Sequence, residues 1–143
     1  MLIVDGMKIE NNMEITINQS ISREVLEDIF VTALEGGSNY WYYLPEESIK
    51  AIRDAVPKSE DPYLSTAILK AILDHDVKVL VNDAEQEDEL IGIISKSTMQ
   101  ARLQLLSDSE HRWALESHVR EDGDASSADV VFQYLAMGEV VYG

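Results

Sequence analysis

Glu35-Gly36-Gly37-Ser38-Asn39-Tyr40-Trp41-Tyr42-Tyr43 joins the end of an amphipathic helical pattern to a run of four aromatic residues. Upstream of it, Val25, Leu26, Ile29, Phe30, Ala33 and Leu34 form one apolar stripe at helical spacing, with Glu24, Glu27 and Asp28 facing outward and Ser22 placed to cap the start. The paired glycines predict a helix stop with positive φ, or a point where another backbone or a ligand comes close. If 40–44 is extended, Tyr40, Tyr42 and Leu44 face one way and Trp41 and Tyr43 the other. Four consecutive rings cannot all enter one core, so core packing and recognition are equally good accounts of this stretch.

Working outward, the pattern predicts an α+β fold. Towards the N-terminus, 1–4 and 7–10 flank an Asp5-Gly6 hairpin signal, and 13–18 alternates with period two, so short antiparallel strands are expected there. Towards the C-terminus, a helix is expected over Glu46–Ala55, and another from Asp61 as cap with Pro62 at its first position. The β-rich segments 77–81 and 90–94 should pair as a hairpin across a polar loop. Ser97-Thr98-Met99-Gln100 has the spacing of a capping box that opens a helix to about Leu106. A weaker helical pattern over 107–120 offers Trp113, Leu115 and Val119 as core contacts. A last helix follows Asp124-Ala125-Ser126-Ser127, carries Val130, Val131, Tyr134 and Leu135, and ends at Gly138. The expected architecture is one domain over 1–143, with a central hairpin and four to five helices packed on short strands.

Composition narrows the function classes. The chain has 143 residues with 45% hydrophobic and 27% charged side chains, a globular balance. No apolar run reaches the roughly 20 residues of a membrane span. The N-terminus has no basic segment before an apolar stretch, so neither a signal nor a transit peptide is indicated. With no cysteine, disulfides, thiolate metal sites and cysteine nucleophiles are excluded, and cytosolic residence is the simplest expectation. A net charge of −16 would repel nucleic-acid phosphates, so duplex DNA or RNA is not expected as a partner.

The loop residues Asp83, Glu85, Glu87, Asp88 and Glu89 lack the glycine and terminal glutamate of a calcium-binding EF-hand loop and read as a solvated hairpin tip. His75, His111 and His118 are too scattered for a metal site and read as surface or helix-end residues. No G-x-S-x-G elbow, Walker A loop or dinucleotide fingerprint occurs. No enzyme activity and no cofactor or metal are therefore expected. Asp124, Asp129, Gln133 and Glu139 either brace helix ends or converge with Tyr40 and Trp41 on a ligand.

Two segments resemble a known group. Thr32-Ala33-Leu34-Glu35-Gly36-Gly37-Ser38-Asn39-Tyr40-Trp41 is similar to the N-terminal signature of a family of small tailed-phage and prophage accessory proteins. Asp124-Ala125-Ser126-Ser127-Ala128-Asp129-Val130-Val131-Phe132-Gln133-Tyr134, followed by Gly138-Glu139-Val140-Val141-Tyr142-Gly143, is similar to the C-terminal one. Met137 stands where that pattern has an aromatic residue. The resemblance implies an accessory protein acting against host defence in the host cytoplasm, and supplies no reaction. The leading expectation is a non-enzymatic protein that sequesters a nucleotide-derived immune signal. Tyr40 and Trp41 would stack on a base, with Tyr43 among the ligand-binding residues. Arg23, Arg102 or a helix start near Asp61 or Ser97 would hold phosphate, and Asp124 or Asp129 would accept ribose hydroxyls. Asp129, Gln133 and Tyr142 would form the opposite wall, Gly36, Gly37 and Gly138 would shape the backbone, and Trp41 would stand partly open. The alternative is an acidic protein-binding inhibitor that imitates nucleic acid on a basic site of a host defence enzyme such as a nuclease. A third reading is an oligomeric structural or regulatory module with the aromatics at homo-oligomer interfaces.

Overall fold

The computed structural model describes residue 13 and residues 18–143. The strands expected before residue 18 fall almost wholly outside the described residues. The rest is α+β: helices α1 (Arg23–Thr32), α2 (Glu46–Ala55), α3 (Leu64–His75), α4 (Lys96–Ser107), α5 (Arg112–Val119) and α6 (Ala125–Met137) pack around strands β1 (Tyr42–Tyr43), β2 (Val79–Asp83) and β3 (Leu90–Ile94). No helix among the described residues is long and apolar enough to cross a membrane.

The sheet is antiparallel in the order β1-β2-β3. A bulge between Val81 and Asn82 shifts the β2–β3 register just before the acidic loop. Because β1 spans only two residues, no strand among the described residues faces Leu80 on that edge of β2. Ser48 of α2 takes that place, its Oγ accepting from Leu80 N–H at 3.0 Å and donating to Leu80 C=O at 2.8 Å.

Helix α6 is the hub. It touches α1, α4, α5, β3 and the turn after α1, and its residues from Ser127 to Ala136 are buried except Val130, which is partly so. Its apolar face meets Phe30 through Phe132 at 5.8 Å, edge to face, and Phe132 also meets Trp41 at 5.6 Å. β3 lies so near that a Cβ on Gly92 would come within 2.5 Å of Ala136 O.

Several local expectations are corrected. α1 does not stop at a positive-φ glycine. It widens into a π-helical turn over Ala33–Gly37, closed by Ser38 N–H to Ala33 O at 2.8 Å. Neither Gly36 nor Gly37 has positive φ; the left-handed glycine cap is Gly138, at φ 80°. Asp61 does not cap α3, which begins at Leu64; its carboxylate instead accepts from Tyr63 N–H and Thr66 Oγ1 and pairs with Lys70. Ser95, not Ser97, precedes α4, and its hydroxyl bonds those of Ser97 and Thr98 rather than a backbone amide. Trp113 is 46% exposed, so of the expected α5 core contacts only Leu115 is fully buried.

Candidate functional site

The two segments singled out by sequence meet around one carboxylate. The π turn and the tight turn after it bring Ser38, Tyr40 and Trp41 against α6, where Asp129 accepts from all three. Ser38 Oγ and Trp41 Nε1 donate to Oδ1 at 2.8 and 2.7 Å, and Tyr40 Oη donates to Oδ2 at 2.6 Å. Gln133, one turn along α6, donates to Oδ2 at 3.3 Å. Gly37 is what permits this approach: a Cβ there would lie 2.4 Å from Ala125 O at the start of α6. Gly36, by contrast, has open space.

Gln133 is fully buried and passes the connection on to the C-terminal segment. Its Oε1 accepts from the backbone N–H groups of Val141 and Tyr142, and its Nε2 donates to Tyr142 C=O. The main chain of Tyr142 is thereby fixed, and its ring stacks on Trp41 at 5.4 Å with planes 8° apart. The Tyr142 hydroxyl then donates to Asp83 Oδ2 at 2.9 Å. Burial, reinforced by Asp83, raises the Tyr142 phenol above its ordinary range.

Asp83 stands at the root of the acidic loop. Its other oxygen, Oδ1, accepts from the N–H groups of Glu85 and Gln86, and these bonds, with that from Tyr142, hold its carboxyl below the usual range. Ala84 N–H donates to Trp41 C=O, Asp83 N–H to Glu89 C=O, and Asn82 Nδ2 to Glu87 C=O. Glu85, Glu87, Asp88 and Glu89 are all exposed on this braced loop, and none forms an ion pair among the described residues. The chain Asp129–Gln133–Tyr142–Asp83 thus connects both signature segments to a preorganised acidic tip.

Other expected site residues are placed differently. Trp41 is only 2% exposed and its ring is covered by Tyr142, which corrects the expectation of an open stacking face. Tyr43 is half-buried in β1 opposite Asn82, away from Asp129's hydrogen-bond partners. Arg23 makes a two-pronged exposed pair with Asp74, and Arg102 donates to the carbonyls of Ile93 and Leu135. Neither lines the groove described next. Asp124 caps α6 in a reciprocal box with Ser127. An open groove of about 480 Å³ does run between the π turn and the start of α6. Tyr40, 52% exposed, stands in it with Gly36, Gly37, Ser126, Tyr142 and Gly143. The Tyr40 hydroxyl points inward, and burial together with its bond to Asp129 pushes its pKa up to about 12.

His118 lies in the last turn of α5, one of the two expected placements, and is buried there at 3% exposure. Its Nδ1 lies 3.2 Å from Asp28 Oδ2 and its Nε2 3.0 Å from Ser127 Oγ, the order of a hydrolase relay. Ser127 Oγ is also 2.8 Å from Asp124 N–H and is 1% exposed, so the cap of α6 occupies the oxygen that a substrate would have to reach. The trio ties α1 and α5 to the start of α6. Gly123 makes room for it, since a Cβ there would fall 2.1 Å from His118 Nδ1. No sequence spacing signals this contact, which spans 90 residues.

Comparison with known proteins finds no matching family model, no matching curated protein and no matching solved structure.

Proposed function

We propose that this chain is a non-enzymatic binding protein whose braced acidic loop occupies a cationic, nucleic-acid-binding surface of a partner protein. The observation that carries this reading is the rigidity of the loop: Asp83 is held by two backbone amides and by Tyr142, while four neighbouring carboxylates stay exposed. A loop whose backbone is already braced forfeits less conformational entropy on binding than a mobile one, so its exposed carboxylates bind a fixed set of Arg and Lys residues more tightly and selectively. The net charge of −16 adds long-range attraction to the same kind of partner. With the resemblance to phage accessory proteins, the partner is a host defence enzyme, and its inhibition by nucleic-acid mimicry is the counter-defence role.

The test is retention of host proteins on the immobilised chain, with a Glu85→Gln/Glu87→Gln/Asp88→Asn/Glu89→Gln variant alongside. A stoichiometric partner that is released by salt, displaced by duplex DNA and absent from the variant supports the proposal. Retention that is indifferent to the four substitutions overturns it.

A second reading, sequestration of a nucleotide-derived signal, is favoured by the open groove beside Tyr40. Among the described residues the groove has no Arg or Lys in its lining, so phosphate would have to be held by uncharged donors such as backbone N–H groups and the Ser126 hydroxyl. Release of an ultraviolet-absorbing small molecule on denaturing the native protein distinguishes this reading from the first.

A further inference from the structure

A separate cavity of about 270 Å³ lies between the π turn and the start of α3, lined among others by Leu34, Glu35, Tyr42, Tyr63, Leu64 and Ser65. The π turn carries Glu35 to its mouth. Glu35 Oε2 accepts a short hydrogen bond from Ser65 Oγ, a side chain that is itself buried, so the carboxylate is held in place while Oε1 has no hydrogen-bond partner among the described residues. Tyr42 closes one side, its hydroxyl donating to Leu34 C=O at 2.8 Å. Burial, with the Glu35 charge as the second cause, pushes the Tyr42 phenol up to about 12, so the ring stays neutral while sensing a negative field. Tyr63 is 67% exposed, a large aromatic ring left at a cavity edge.

Among the described residues no basic side chain lines this space. Of the cations flanking Pro62–Ser65 in sequence, Lys58 is exposed and forms no ion pair among the described residues, while Arg53 and Lys70 are engaged. Arg53 donates to the carbonyls of Val56, Asp61 and Pro62, and Lys70 pairs with Asp61. An anchored carboxylate, two phenol rings and apolar walls from Leu34 and Leu64 suit one ligand chemistry: a positively charged head on a short hydrocarbon stem.

We infer that the Glu35–Tyr63 cavity binds an alkylammonium group, with the charge on Glu35, the methylenes against Leu34 and Leu64, and Tyr63 covering the head. Two sources offer this chemistry, the lysine side chain of a partner protein and a free polyamine. The inference does not rest on the acidic loop, which lies in a different part of the chain.

The experiment is NMR titration of the full chain with n-butylammonium, N-acetyl-lysine methylamide and spermidine at constant ionic strength, following the amides of Glu35, Tyr63 and Ser65. Saturable shifts at these residues are expected. Glu35→Gln should weaken binding about 2- to 5-fold, the range for losing an exposed ion pair. Tyr63→Ala should weaken it about 2- to 5-fold. The loop variant with Glu85, Glu87, Asp88 and Glu89 neutralised should bind as the parent does, which separates this site from the proposed function. Preference for the lysine amide assigns the site to a protein partner and preference for spermidine assigns it to polyamines; both support the inference. Shifts reproduced by sodium chloride, or equal affinity in a folded Glu35→Gln variant, would overturn it and leave Glu35 as a partner of the α3 N-terminus only.

Discussion

Replacing Asp129 by alanine tests whether the carboxylate is the joint on which the two signature segments turn. Four donors lose their acceptor: Ser38 Oγ, Tyr40 Oη, Trp41 Nε1 and Gln133 Nε2. Their costs differ. Tyr40 is half exposed and turns to water, and Gln133 keeps its bond to Tyr142 C=O. Ser38 and Trp41 are buried, and each unsatisfied buried donor costs about 1–3 kcal/mol. The expected loss is about 3–5 kcal/mol, a large share of the 5–15 kcal/mol typical of a native protein. For a chain of this size that lowers Tm by roughly 10–15 °C. Urea unfolding followed by fluorescence in a Trp113→Phe background reports on Trp41 alone, since Trp113 is the other tryptophan. Adding Ser38→Ala removes one orphaned donor, so the double variant should be about 1–2 kcal/mol more stable than the sum of the single effects predicts. A loss below about 1 kcal/mol for Asp129→Ala, or strict additivity with Ser38→Ala, would refute the reasoning.

Gly37→Ala forces a backbone shift at Ala125 and should cost about 1–3 kcal/mol, whereas Gly36→Ala, facing open space, should be neutral or stabilising by about 0.4–1 kcal/mol in the same unfolding assay. Tyr40 and Tyr42 titrate at about 12 in the folded chain against about 10 when unfolded. Since the raised value favours the neutral phenol in the fold, that contribution is complete below pH 10 and is lost between about 10 and 12. Absorbance of phenolate against pH, with Tyr40→Phe removing one late-titrating group, checks it. The Asp124 carboxyl is held below its ordinary range, first by Ser127 N–H and then by the Ser127 hydroxyl. Its contribution is present above the unfolded value near pH 4 and is lost as pH falls through the folded one, so the gap in urea midpoint between the parent and Asp124→Ala should close on acidification.

The elements that could be read from sequence are those specified by neighbouring residues. The stripe from Val25 to Leu34 and the paired segments that become β2 and β3 carry their own period, and the Asp124 and Gly138 ends of α6 carry their own cap chemistry. The π turn could not be read, because two glycines permit several backbones and the choice was made by Ala125, in contact from far along the chain. The same holds for the site. Tyr40, Trp41, Asp129, Gln133 and Tyr142 do meet in space, since polar residues in apolar surroundings need partners. That the group would satisfy itself and close Trp41, instead of leaving an opening, depends on ring stacking at a separation of 101 residues, which no local pattern encodes. Arg23 and Arg102 were assigned by charge alone, and charge does not say where a side chain points.

The central place of α6 also has a consequence in time. Every helix and strand that α6 joins is synthesised before it, so α1, β3, α4 and α5 leave the ribosome with apolar faces that have no cover. At about 5–20 residues per second, the α1 stripe waits roughly 5–20 s for Phe132 and its neighbours to arrive. Through that wait the same-sign charges of the chain, 27 acidic against 11 basic side chains, act against association of one copy with another. The acidic surplus of this chain, a net charge of −16, is therefore present well before the helix that completes the core.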